Sequence, residues 1–472
     1  MTVLPVDRIA WVEGWGMAVG ADGYLVQPTD VEQVTEILGA ARSAGAPIVA
    51  RGAGCSYGDA AFLPEGLVLD FSRMRQVLAW DPATGIVDVE PGVTVGQLWR
   101  QTLPDGWWPP VVTGTMEPTL GGGLAMNVHG KNNWARGPIG DHCIELDLLT
   151  PDGTMRTISR DIEPEVFHAV IGGFGQLGLI SRARIQLKKV HSGLIEAKAV
   201  ATPDLGELLQ QIDDAKDDWE YVVGWLDAFP GGSKLGRGLL HFARHLSPDE
   251  DPDSAASLEP TNQDPSSTLV GVVPKNLMWR MMKPFTNNLG MRAINLAKYI
   301  HGSTIGNNAV YRQTLAGFSF LLDYVPDWKK AYLPGGLIQH QSFVPVADAE
   351  RVFKTQLEIC RRRGMPSYLA VLKRHRPDPF LLTHAVDGFS MALDFPVVES
   401  RRDELWAMVR ELAEPVVEAG GRFYPAKDAA LPGELYRATF GEGQLDRFHA
   451  LKQRLDPDGV LRSALADRLL GG

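Results

Sequence analysis

The chain has 472 residues, 44% of them hydrophobic and 22% charged, with a formal net charge of −11. That is an ordinary composition for two or three packed domains, and an acidic balance without a basic stripe argues against nucleic acid as a partner. Three cysteines, Cys55, Cys143 and Cys360, are far apart and odd in number. They form neither a disulfide framework nor a zinc set, which points to a reducing, cytoplasmic setting. The N-terminus has no basic start followed by a long apolar core, and no stretch approaches ~18 uncharged apolar residues. The expectation is a chain without signal peptide or membrane span, with attachment to a membrane surface left open.

In chain order, residues 29–45 (TDVEQVTEILGAARSAG) read as an amphipathic helix. Thr29 or Asp30 can cap it, Val31, Val34, Ile37, Leu38 and Ala41 share one face, and Gly45 can end it. A short buried strand at 46–52 runs into a glycine turn, and 67–72 and 85–92 read as further strands. Residues 93–103 are helical and stop at Pro104, and 144–158 hold two strands joined by Pro151-Asp152-Gly153. A helix follows at 164–172 and an alternating strand at 177–190. Residues 246–266 are rich in Pro, Asp, Ser and Glu and read as a mobile loop. The apolar residues after it (Leu269, Val270, Val272, Val273, Leu277, Met278) suit a gate for a lipid-linked substrate. Strands are expected at 336–346, 367–373 and 388–397, helices at 347–363 and about 399–419, and a closing helix at about 445–457. No internal repeat occurs.

Gly173, Gly175 and Gly178 in GGFGQLG (172–178) spell G-x-G-x-x-G. A Rossmann site needs a strand before the glycines, a helix after them, and an acidic residue about 20 positions on. Here a helix precedes, a strand follows, and Lys188, Lys189 and Val190 stand near the acidic position. The motif therefore reads as a helix-to-strand turn. Two other loops carry stronger signals: ARGAGCSYGDAAF (50–62) and VTGTMEPTLGGGLAMNVHGKNN (112–133). Glycines among small polar residues after a strand let backbone N–H groups approach phosphates closely. Two such loops can hold an extended cofactor from both sides. His241 and His245 are spaced as a metal pair, but HFARH has no accompanying Glu and no third ligand can be named.

These three glycine segments resemble the FAD-binding domain of the vanillyl-alcohol-oxidase-type flavoproteins. HGKNNWARGPIGDH, WLDAFPGGSKLGRG, LIQHQSFVP, SYLAVLK, ALDFPV and GGRFYPAKD are similar, in the same order, to segments of the decaprenylphosphoryl-ribose oxidase branch. The resemblance covers nearly the whole chain. It implies an α+β fold: a PCMH-type FAD-binding domain of two α+β subdomains (1–195), a sheet-based substrate domain (196–410) with a mobile loop at about 246–283, and a C-terminal segment (411–472) returning to the FAD domain and active site.

The implied cofactor is FAD without a covalent link. The first loop holds its pyrophosphate through Arg51, Gly52, Gly54, Cys55, Ser56, Tyr57 and Gly58. The second runs along pyrophosphate and flavin with Gly114, Thr115, Thr119, Gly121, Gly122, Ala125, Asn127, His129 and Gly130. The third lies by the adenine-ribose side with Gly175, Gly178, Leu179 and Ile180, and Tyr424 completes the set. The implied reaction oxidises a secondary alcohol of a sugar to a ketone, with hydride passing to flavin N5 and a base taking the hydroxyl proton.

Lys427, His129 and Tyr57 are the implied catalytic residues. Lys427 faces the flavin's N1–C2=O edge or the alcohol, and His129 relays the proton or holds the hydroxyl. Lys131, Trp225, Gln339, Gln341, Lys373 and Asp394 are the implied substrate residues. Lys131 and Lys373 suit a phosphate, and alternation puts Gln339 and Gln341 on one strand face. No metal is implied. The chain departs from the branch at Ala392, where a cysteine stands near the flavin, and at Ser390, which replaces an asparagine. Cys55 stands where related polyol oxidases carry a flavin-linked histidine. The implied partners are a sugar or sugar phosphate, lipid-linked in that branch, an electron acceptor such as a quinone or O2, and a partner reductase. Two alternatives stand beside this reading: a soluble sugar, polyol or natural-product alcohol oxidase that releases H2O2, and a non-catalytic nucleotide- or partner-binding protein.

Overall fold

The computed structural model describes residues 8–264, 268–269 and 273–471. Three sheets organise the chain. In the first, Ile9–Glu13 pairs antiparallel with Gly20–Val26, which runs parallel to Leu67–Asp70, itself parallel to Ile48–Arg51. Parallel neighbours need a crossover, and helix Val31–Ala44 supplies it. Asp30 caps this helix by accepting from the Gln33 N–H at 2.9 Å, and Gly45 ends it at φ 65°. Val34, Leu38 and Ala41 are buried against Ile48, Leu69, Val460 and Leu461. The far end of the chain thus joins its beginning. The Ile48 N–H donates to the Val460 carbonyl at 2.7 Å, and the Arg462 N–H to that of Ile48 at 2.8 Å.

The second sheet is antiparallel, in the order Val77–Asp81, Ile86–Val89, Leu179–Gln186, Cys143–Leu149, Met155–Ser159. Helix Pro164–Val170 precedes the GGFGQLG turn and strand Leu179–Gln186 follows it, the order expected from the sequence. The third sheet has eight antiparallel strands in the order Val310–Thr314, Leu194–Thr202, Gly238–His245, Tyr221–Leu226, Leu369–His375, Gly388–Pro396, Leu337–Pro345, Arg422–Phe423. Helices Leu205–Ala215, Val346–Arg362 and Arg402–Glu418 pack on this sheet. The short last strand delivers residues 424–428 to the glycine loops.

Several elements go beyond the sequence reading, among them the N-terminal hairpin, strands Leu194–Thr202 and Tyr221–Leu226 with helix Leu205–Ala215 between them, the 17-residue helix Asn288–Thr304, and helix Ala464–Leu470, which closes the chain after the predicted Gln444–Leu455. Residues 246–264 also differ from the open loop their composition suggests. They form helix Ser254–Leu258 between 3-10 turns at Pro248–Glu250 and Pro260–Asn262. The Asp251 carboxylate accepts from the Ser192 hydroxyl and from that of Ser257. The Gln263 amide donates to the Gly193 carbonyl at 2.8 Å. Polar side chains bonded to a strand end replace the apolar contacts the segment lacks. Residues 265–267 and 270–272, with Val270 and Val272 of the suggested gate, lie outside the described residues. Among the described residues no helix is long and apolar enough to cross a membrane.

Candidate active site

The first glycine loop leaves the C-terminal end of parallel strand Ile48–Arg51. It passes so close to the second loop that a Cβ on Gly52 would lie 2.2 Å from the Thr119 hydroxyl. Gly54 adopts φ 67°, open to glycine and strained for other residues. The N–H groups of Ala53, Gly54, Cys55 and Ser56 find no acceptor among the described residues. A run of unpaired backbone donors on a concave wall is a site for phosphate oxygens. Arg51 is spent on structure: its guanidinium donates to the Glu13 carbonyl at 3.2 Å and the Ala61 carbonyl at 3.4 Å, and burial lowers its pKa.

The back of this loop is clamped. The Tyr57 N–H donates to the Ala426 carbonyl at 2.9 Å and the Gly16 N–H to the Tyr57 carbonyl at 3.1 Å. Gly58 packs so tightly that a Cβ would lie 1.9 Å from the Asp428 carbonyl oxygen. Arg468 of the closing helix bridges Asp59 and Asp428, each at 2.7 Å. The second loop is capped by Thr119, whose hydroxyl accepts from the Gly122 N–H at 3.3 Å at the head of helix Leu120–Ala125. Thr115 donates to Asp323 at 2.6 Å, which ties this loop to residues 321–324. The third loop joins the second through the Gly172 N–H to the Leu124 carbonyl and the Phe174 N–H to the Ala125 carbonyl, both 3.0 Å.

The loops and the large sheet enclose a cavity of about 560 Å³. Of the expected cofactor residues, Arg51, Gly52, Gly54, Cys55, Ser56, Tyr57, Gly114, Thr115, Thr119, Gly121, Gly122, Ala125, His129, Gly175, Gly178, Leu179, Ile180 and Tyr424 line it. Lys131, Trp225, Gln339, Gln341, Lys373 and Lys427 form the facing wall. Gly58, Asn127, Gly130 and Asp394 stand behind the walls. The Asn127 side chain accepts from the Gly140 N–H at 3.1 Å and holds the second loop from beneath.

Burial governs the chemistry of the sheet wall. The Lys427 ammonium lies 4.0 Å from the Tyr57 ring centroid, and desolvation lowers its pKa to about 8 against the pull of Asp394. Desolvation lowers Lys131 and Lys373 to about 7, each helped by a neighbouring lysine. Asp394 is wholly buried and pushed up to about 6 by desolvation. One of its oxygens accepts from the Gln339 amide, and the other has no partner among the described residues. His129 Nε2 is 3.2 Å from the Gln341 amide nitrogen and Nδ1 is 3.5 Å from Lys373 Nζ. Burial, then Lys373, His375, His384 and Lys427, push its pKa well below 6.5. A neutral imidazole can accept from Gln341 and donate to an uncharged Lys373 amine.

Several groups at the site carried no usable signal in the sequence. The rings of His375 and His384 lie 4.9 and 5.4 Å from that of His129, packed with Phe343 and Tyr424. The His375 ring bonds the Ser390 hydroxyl at 2.8 Å, and the Gln341 amide donates to the same hydroxyl at 3.2 Å, so this serine orders Gln341. His241 lines the cavity from a strand, while His245 bonds the Tyr221 hydroxyl at 3.1 Å. Among the described residues no three His, Cys, Asp or Glu are placed to hold a metal ion. Lys298 lies at the exposed rim of the cavity, 4.2 Å from the Trp225 ring centroid. The Cys55 thiol is pushed up to about 12 by burial and stays protonated, a poor nucleophile. That suits a cofactor held without a covalent bond.

Unpaired donors in the first loop, the glycine approach between loops and the cationic wall opposite fit FAD. Residues 23–159 match the family model described as an FAD binding domain. The fold and site thus define the class: an FAD-dependent oxidoreductase with a PCMH-type FAD-binding domain in an α+β fold. The chain is 31% identical over 462 residues to decaprenylphosphoryl-β-D-ribose oxidase of Mycolicibacterium smegmatis, covering 97% of this chain and 96% of that protein. It is 29% identical over 385 residues to an uncharacterised protein of Streptomyces coelicolor, covering 80% of this chain and all (100%) of that one. It is 35% identical over 184 residues to cytokinin dehydrogenase 6 of Oryza sativa subsp. japonica, covering 36% and 34%. The chain belongs to the family of FAD-linked oxidoreductases that includes decaprenylphosphoryl-β-D-ribose oxidase.

Proposed function

We propose that this enzyme oxidises a secondary alcohol of a sugar or sugar phosphate to the ketone, with a lipid-linked ribose as the first substrate to test. The observation that carries this reading is the wall facing the FAD loops: Lys427 beside Tyr57, His129 between Gln341 and Lys373, and lysines 131 and 298 close by. Bound FAD supplies the two-electron acceptor for hydride from the carbinol carbon. The chain's own residues then have three tasks. Neutral His129 accepts the hydroxyl proton at Nε2 once the substrate hydroxyl displaces the Gln341 amide there, with Nδ1–H still donating to the uncharged Lys373 amine. Lys427, with a pKa of about 8, is mostly an ammonium at neutral pH and stabilises negative charge that develops at the cofactor edge. Lys131 has a pKa of about 7, and an arriving anion returns it to the charged form. Lys298, exposed at the cavity rim, adds a second cation, and a phosphate is the anion that suits such a pair. Leu369, Val371 and Ala392 give the wall its apolar ground and limit water.

In this reading residues 1–195 hold FAD, 196–410 hold the substrate, and 411–472 return Lys427 to the site. The name of the Mycolicibacterium relative supports the ribose as substrate. The test is an anaerobic screen of polyprenyl-phosphate sugars, soluble sugar phosphates and polyols, read at the flavin absorption band. Bleaching by a phosphorylated sugar and not by its neutral parent is expected. Equal bleaching by neutral polyols would overturn the phosphate assignment. Peroxide yield per turnover in air separates an oxidase from an enzyme that passes electrons to a quinone or a reductase.

A further inference from the structure

Helix Asn288–Thr304 packs one side against the described residues of the substrate domain and turns an apolar stripe the other way. On the inner side the Asn295 amide donates to the Tyr368 carbonyl at 3.4 Å, and the Tyr299 hydroxyl to that of Thr202 at 3.2 Å. Gly302 sits so close to Leu239 that a Cβ would come within 2.5 Å. On the outer side Leu289, Ala293, Leu296 and Ile300 follow one another at helical spacing, and all are exposed, Leu289 to 80%. The flanks continue the pattern: Met281 is 63% exposed, Phe285 55% and Ile305 78%. An apolar stripe of this length on a free surface marks an interaction site.

The charge on this face names the partner. From Lys275 to Leu322 the sequence has no Asp or Glu, in a chain whose net charge is −11. Arg280, Lys283 and Arg292 are exposed there and form no ion pair among the described residues. Leu and Ile on one helix face, preceded by turns with exposed Met, Phe, Arg and Lys and without a carboxylate, is the pattern of a segment that lies in the headgroup region of an anionic leaflet. The same segment supplies Met282, Lys298, Leu321 and Leu322 to the cavity wall.

We propose that residues 277–305 dock the enzyme onto an anionic bilayer surface, with the apolar stripe in the acyl boundary and the three free cations on the phosphates. A docked enzyme holds its cavity wall next to the leaflet, the geometry by which an amphiphilic alcohol reaches the site without crossing water. The docking itself does not depend on which alcohol is oxidised.

Vesicle flotation of the holoenzyme tests this, because it reads lipid binding and not turnover. The enzyme is expected to float with phosphatidylcholine vesicles containing about 30% phosphatidylglycerol, and roughly tenfold less with pure phosphatidylcholine or in about 0.5 M salt. The triple change Arg280→Glu, Lys283→Glu, Arg292→Glu should abolish the preference for the anionic vesicles. The triple change Leu289→Ser, Leu296→Ser, Ile300→Ser should lower binding roughly tenfold while flavin content and melting temperature stay at wild-type values. Wild-type enzyme left behind by both vesicle types overturns the proposal. So does equal binding to both, or binding that neither triple variant alters. A solution dimer that the serine variant dissociates assigns the face to a second copy and overturns it as well.

Discussion

The two walls of the cavity work by different physics. The loop wall is built from backbone: glycines close together, unpaired N–H groups, and an arginine tied to carbonyls. The sheet wall is built from side chains: lysines, glutamines and a histidine whose protonation is set by burial. A backbone site is insensitive to side-chain chemistry and intolerant of a single methyl group. A side-chain site tolerates small changes of shape and fails when a charge is removed.

The largest expected effect lies on the loop wall. Gly52→Ala pushes a methyl onto the Thr119 hydroxyl, 2.2 Å from the ideal Cβ position. The purified variant should lose roughly 90% or more of its flavin absorbance, since such overpacking displaces the loop. Adding Thr119→Ala removes the clashing oxygen and should restore flavin, at a cost of about 1 kcal/mol for the lost helix cap. If the double variant stays colourless, the methyl clash is not the cause. On the sheet wall, Lys427→Ala should keep FAD and slow reductive bleaching by about 10²–10³-fold, the usual loss for a charge-stabilising donor. Unchanged bleaching kinetics would remove Lys427 from the mechanism.

The pH profile sharpens the same contrast. If the Lys427 ammonium is the working form, the wild-type rate is full below its pKa of about 8 and falls about tenfold per pH unit above it. The Lys427→Ala variant should lack that limb. A rate that rises through pH 8 would instead make the free amine the base. The smallest effect is on stability. Lys131, Lys373 and Lys427 have folded pKa values below the unfolded 10.5, so between about pH 7 and 10.5 the unfolded chain binds more protons. Their penalty is complete below pH 7 and is relieved as pH rises through the folded values. The melting temperature should therefore gain about 1–3 °C between pH 7 and 9, and Lys373→Met should remove roughly a third of that gain.

Local signals were read well from the chain. Asp30 and Gly45 bound their helix where capping rules place them, and strand alternation put Gln339 and Gln341 on the cavity side of one strand. Helix-then-strand order around GGFGQLG ruled out a nicotinamide site. The family resemblance reached Lys427, whose own neighbourhood in sequence is unremarkable. His375, His384 and Lys298 escaped, because nothing about each residue's immediate neighbours distinguishes it. Residues 246–264 misled for a related reason: composition counts apolar residues and cannot see that Asp251 and Gln263 find partners near Ser192 and Gly193.

By itself the sequence determined where helices start and stop, which loops need glycine, and which residues alternate to one face. Those depend on backbone dihedrals and spacing over a few residues. Only the tertiary structure decided that His129, Gln341, Lys373, His375 and His384 meet in one cluster, and that Arg468 fastens Asp59 to Asp428. These contacts, and the lowered pKa values that follow from them, arise because the eight-strand order brings distant segments together and closes water out around them.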